Sequence, residues 1–196
     1  MKISINKDDF VNKLETRTIK VETATPEELA PFGVVLGRNE NVEPLPINLY
    51  DGTVKVRRLG KFISDETTEM PVCTVQRRPL VATHLERHLK HTQTFVSLGA
   101  KPFVMLLSLP TDGELPNLDE VRAFLFDGSA GFMLNIGTWH EFPFVLVDDT
   151  DLLTILRPEA TNGLTTDNIV GNEAVSPDLE KRDMATRFGV EMALEL

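Results

Sequence analysis

The chain has four histidines, and they fall in two places. His84, His88 and His91 lie within "ATHLERHLKHTQTF" (82–95). His140 follows the only tryptophan, Trp139, in "GSAGFMLNIGTWHEFPF" (128–144). Read as a strand, "LVATHLERH" (80–88) alternates faces, so Ala82, His84, Glu86 and His88 share one side and Val81, Thr83, Leu85 and Arg87 the other. A hairpin through "LKHT" would then bring Gln93 back toward Glu86 and His88. With His140 added, two imidazoles, a carboxylate and an amide oxygen converge. That mix suits a divalent ion such as Ni, Zn, Mn or Fe. One carboxylate would leave a net +1 on the ion and so attract an anionic substrate. The competing reading is a solvated polar face, the usual fate of histidine and glutamate on a strand. His91, in the turn, is expected in solvent, and His84 at the cavity mouth or in a structural hydrogen bond.

The surrounding chain must position these groups. Short runs of strand type recur: 53–59, 71–77, 80–88, 92–98, 101–109, 121–127, 131–135, 141–147 and 151–157, separated by turns such as "LGAKP" and "DGSAG". Such spacing predicts an all-β sandwich or barrel. Gly137 can take the positive φ of a tight turn and start the next strand at His140. Helices are expected to be few. "TPEELAPFG" (25–33) has Thr25 as cap, Pro26 in the first turn and Glu28 completing a capping box. "SPDLEKRDMATRFG" (176–189) shows the same grammar with a Gly189 stop, which predicts a helix in a C-terminal tail. Three segments are expected: an N-terminal arm (1–17), a β-domain (18–158) and an acidic tail with one helix (159–196).

The chain has 196 residues, 41% of them hydrophobic, enough for one core. The net charge of −10 argues against non-specific nucleic-acid binding. No apolar run reaches the roughly 20 residues of a membrane span. The start "MKISINKDDFVNK" does not read as a signal peptide, and a single cysteine, Cys73, allows no internal disulfide. A cytoplasmic protein with no membrane or nucleic-acid partner is expected.

"LERHLKHTQTFVSLGAKPF", "VRAFLFDGSAGFMLNIGTWHEFPF" and "DTDLLTILR" together resemble the ureidoglycolate lyase family of cupins, over about residues 18–158. In that family the first cupin histidine is replaced by glutamate and the later glutamate by glutamine, as at Glu86, His88 and Gln93 here. The second motif runs Gly131, Gly137, His140, without its usual proline. The resemblance implies a cupin double-stranded β-barrel (jelly roll), a homodimer, a divalent metal, no organic cofactor, and cleavage of (S)-ureidoglycolate to glyoxylate and urea. It implies metal ligation by Glu86, His88, Gln93 and His140, and substrate binding by Arg77 and Asn48. His84 or Glu141 is expected as the catalytic base. The pattern departs from the family at Glu141, where a second histidine is usual, at "LKH" (89–91), and beyond Leu156-Arg157. Two alternatives stand beside this reading: a cupin lyase, isomerase or hydrolase acting on another small hydroxy or keto acid, and a non-catalytic binding cupin.

Overall fold

A computed structural model describes residues 14–47, 49–164 and 169–196. Among these, the chain forms strands β1 (Glu15–Thr23), β2 (Gly33–Leu36), β3 (Val72–Val75), β4 (Val81–Ala82), β5 (His84–His88), β6 (Thr94–Leu98), β7 (Phe103–Ser108) and β8 (Arg122–Phe126). They continue as β9 (Gly131–Leu134), β10 (Trp139–His140), β11 (Phe144–Val145), β12 (Thr150–Ile155), β13 (Ile169–Val170), β14 (Glu173–Val175), β15 (Leu179–Asp183) and β16 (Val190–Glu195). Three short helices interrupt them: α1 (Pro26–Leu29), α2 (Pro158–Gly163) and α3 (Met184–Phe188). The protein is all-β with few helices, and its sheets curl in the manner of a jelly roll.

One sheet runs β13-β14-β15-β5-β10-β7-β8-β1-β16-β4, with β11 also on β7; the other runs β2-β9-β6-β12-β3. Between them lies a core of Phe95, Phe103, Met105, Leu107, Phe124 and Phe132. β7 explains why "FVMLLS" is continuously apolar. Phe103, Met105 and Leu107 face the inter-sheet core, while Val104 and Leu106 face a second cluster with Trp139, Met184 and Met192. A strand buried on both faces has no reason to alternate.

The helix expected at 25–33 forms as α1, and Thr25 Oγ1 accepts from the Glu28 amide. The strand expected at 53–59 does not form. Two corrections concern the C-terminus. Residues 176–189 are not one helix: they give β15, the single-turn α3 and a stop at Gly189, where φ is +69°. Nor do the residues after 158 hang from the body. β15 pairs antiparallel with β5, and β16 lies between β1, to which it is parallel, and β4. The physical reason is burial. Leu179 in "DLEKRD" is fully buried, and "VEMALE" places Val190, Met192 and Leu194 inward. Residues 1–13, most of the expected N-terminal arm, lie outside the described residues.

Because Met192 is 1% exposed in the second cluster, Met192→Ala should destabilise the protein by about 2–5 kcal/mol. Urea unfolding measures this. A tail would give no change.

Candidate metal and active site

Strand register does most of the assembly. β5 is flanked by β10 and β15, so His140 and Lys181 are the register neighbours of Glu86 on its two sides. Leu179 pairs with His88. The chain reaches β10 through the turn expected at Gly137, where φ is +81° and the amide donates to the His88 carbonyl. Trp139 is anchored by donating Nε1–H to Thr111 Oγ1 at 2.9 Å and by the Arg87 guanidinium over its ring. The residue after it is thereby fixed.

Glu86, His88, Gln93 and His140 are all buried, between 1% and 6% exposed. One ligand atom from each of Glu86, His88 and His140 lies within 4.8 Å of the others. Glu86 Oε1 is 3.5 Å from His140 Nε2 and 3.9 Å from His88 Nε2. His140 donates Nδ1–H to the Thr138 carbonyl, which leaves the Nε2 lone pair facing a carboxylate oxygen. Two lone pairs so placed call for a cation or a proton between them. Both ring nitrogens of His88, His140 Nε2 and Gln93 Oε1 have no hydrogen-bond partner. Buried polar atoms are rarely left so. The donor set fits a divalent metal, whose identity the geometry leaves open.

The charges are unequal in their effects. Burial works to raise the Glu86 carboxyl, but the Lys181 ammonium at 2.8 Å and then His140 outweigh it and hold Glu86 well below 4.5. Burial, followed by the neighbouring His140, pushes His88 down to about 3, so it is neutral. Glu86, His88 and Gln93 open on a cavity of about 100 Å³ whose other walls include Phe142, Leu156 and, from α2, Ala160 and Thr161.

The remaining expected residues are distributed differently. Glu141 is buried, with Oε1 3.3 Å from Arg78 Nη2 and Oε2 3.8 Å from Lys181 Nζ. His84 stands apart from the cluster. It begins β5, in register with Asp183 of β15, and its ring contacts Thr83 Oγ1 and the Asn172 carbonyl. Arg77 is exposed and paired with Asp148; its neighbour Arg78 is the arginine that reaches Glu141 and the Phe142 carbonyl. Asn48 lies outside the described residues.

His91 corrects an expectation. It is fully buried, and its Nδ1–H donates to Asp178 Oδ2 at 2.8 Å. Asp178 also accepts from the Leu89 and Lys90 amides, and these bonds fix the "LKH" turn with His91 inside. Burial works to raise the Asp178 carboxyl, but the bond from His91 leads the effects that bring it down to about 2. Arg157, 2% exposed, lies within 3.5 Å of carboxylates of Asp65, Glu66, Glu159 and Asp178, tying α2 to this layer. Sequence reading missed Lys181, Asp178 and Arg157. "DLEKRD" holds a single apolar residue, so no local pattern signalled that Lys181 lies beside Glu86.

A family model described as ureidoglycolate lyase matches residues 16–181. Among similar curated proteins are the ureidoglycolate lyase of Pseudomonas paraeruginosa, 31% identical over 154 residues, and that of Azotobacter vinelandii, 29% identical over 149. Each alignment spans 74% of this chain and 87% of the relative.

The neutral state of His88 has a consequence for stability. An unfolded histidine titrates near 6.5, so between that value and about 3 the unfolded chain binds more protons than the fold, and stability falls as pH falls. Asp178 adds a loss that begins near 3.8 and runs toward 2. In chelator-treated protein, the urea midpoint should drop between about pH 7 and about pH 4.5, and His88→Asn should flatten that drop.

Proposed function

The chain belongs to the ureidoglycolate lyase family, and on that footing we propose that the buried pocket cleaves (S)-ureidoglycolate to glyoxylate and urea, as a carbon–nitrogen lyase of the amidine-lyase type. The observation that carries this reading is the set of unpartnered donor atoms on His88, His140 and Gln93 around Glu86, three of these four residues lining a small cavity. Such a cavity suits a small polar substrate rather than a polymer.

The substrate carbon bears a carboxylate, a hydroxyl and an amide nitrogen. Cleavage removes the hydroxyl proton, forms the carbonyl, sends the C–N bonding pair to nitrogen and protonates the departing urea. Glu86, His88, Gln93 and His140 would hold a divalent ion, with Ni, Zn, Mn and Fe all compatible. When bound, it would supply Lewis-acid stabilisation of negative charge on oxygen. The rest falls to the chain. Phe142, Leu156 and the α2 residues give the cavity apolar walls. Glu141 is the better of the two expected bases, because His84 is engaged elsewhere and Glu141 Oε2 has no hydrogen-bond partner. Lys181 and Arg78, not the exposed Arg77, supply positive charge near this cluster for an anionic substrate. A homodimer in the cytoplasm belongs to the same proposal.

A second reading keeps the chemistry and changes the acid. Glu141 replaces a histidine usual in the family and sits between two cations, so the pocket could suit another small hydroxy or keto acid.

Glyoxylate release by purified protein, with ureidoglycolate and other small hydroxy acids compared and divalent ions varied, decides between them. His88→Ala and His140→Ala should each lower turnover by about 100-fold or more while circular dichroism stays native. Full activity in either folded variant would remove these histidines from the site. Turnover of another acid but not of ureidoglycolate would favour the second reading.

A further inference from the structure

Glu86 sits in the middle of a row that crosses three strands: Lys181 on β15, Glu86 on β5 and His140 on β10. Its two oxygens are divided between the two sides. Oε2 accepts from Lys181 Nζ at 2.8 Å, while Oε1 faces the imidazoles of His140 and His88. We propose that Lys181 is a positioning residue for the metal site. By occupying Oε2 it confines Glu86 to ligation through the single oxygen Oε1, and by its fixed charge it holds down the affinity of the site for divalent cations. The proposal rests on the metal reading above.

Three observations carry it. The first is geometric. A carboxylate with both oxygens free can chelate a cation, but here one oxygen is already hydrogen-bonded to an ammonium on a neighbouring strand, where the backbone pairing of β15 with β5 fixes its origin. The second is the charge count. Glu86 and Glu141 are matched by Lys181 and Arg78, so these four charges already balance before any ion enters. A divalent ion therefore enters beside a like charge, in a mostly buried setting where screening is weak. The third is the enclosure of the ammonium between two carboxylates, of which Glu86 is the nearer. The Lys181 side chain is 21% exposed, and the next carboxylate oxygen, Glu141 Oε2, is 3.8 Å away. Arg78 lies beyond Glu141 and repels it. Lys181 is thus held against Glu86 from both sides.

Cobalt(II) binding to the chelator-treated full chain tests this, by calorimetry and by visible absorption, whose intensity falls as coordination number rises. Lys181→Met should bind Co²⁺ about tenfold more tightly or better, and its absorption should weaken as Glu86 gains a second ligating oxygen. Lys181→Gln keeps a donor but drops the charge; it should tighten binding with little spectral change. Lys181→Arg should resemble the parent. Unchanged or weaker Co²⁺ affinity in folded Lys181→Met overturns the proposal, and if that variant does not fold, the same result in Lys181→Gln does so. If parent and variants bind no Co²⁺ yet ureidoglycolate is turned over, the proposal falls and the lyase reading stands. If affinities shift as expected but no ureidoglycolate is cleaved, the proposal stands and the lyase reading falls.

Discussion

The structure depends on keeping one carboxylate charged in the middle of a β-sheet. Glu86 is 3% exposed, and burial alone would protonate it. The Lys181 ammonium prevents this, with His140 beside it. Neither group comes from the same part of the chain as Glu86. Each arrives because an adjacent strand pairs in one register, and a slip of one residue would turn Lys181 or His140 to the opposite face. The C-terminal segment is therefore part of the site as well as part of the sheet.

Behind this row lies a second polar layer with a different task. Asp178 binds His91 Nδ1 and the backbone of the turn after β5, and His91 packs against the His88 ring at 4.6 Å between centroids. Arg157 joins Asp178 to Glu159 on α2 and to Asp65 and Glu66. Asp178 directs three of its bonds to His91, Leu89 and Lys90, which makes it an orienting group more than a metal ligand, although His88, His91 and Asp178 also lie within ligating distance of one another. The layer stiffens the wall against which His88 is held, and it fastens the helix that covers the cavity.

Most of the β-domain and the clustering of Glu86, His88 and His140 were legible in the sequence, because these rest on local patterns. Alternation in "LVATHLERH" puts Glu86 and His88 on one face, and the glycine turn delivers His140. Sequence reading failed where local grammar and tertiary demand disagree. Ser176, Pro177 and Asp178 form a good helix start, yet the Asp178 carboxylate caps a turn about ninety positions earlier in the chain and the following residues extend along β5. "TVKVRRL" alternates but finds no strand to pair with. His91 looked exposed because it stands in a turn, and the acid that buries it is contributed by another element. His84 shares β5 with Glu86, as alternation expects, yet its ring at the first position of the strand meets the Asn172 carbonyl.

These contacts also give a physical meaning to Glu141. A histidine at this position could be buried neutral, as His88 is. A glutamate there adds a buried charge that must be met, and it is met by Arg78 from one side and Lys181 from the other. Lys181 in turn needs Glu86, because one distant carboxylate would not hold an ammonium in so enclosed a place. Glu141, Lys181 and Arg78 are thus one coupled arrangement. Changing Glu141 alone would leave Lys181 with only Glu86 as its counter-charge and draw it further onto Oε2. The residue that most distinguishes this chain's second motif acts on the same carboxylate that the first motif supplies.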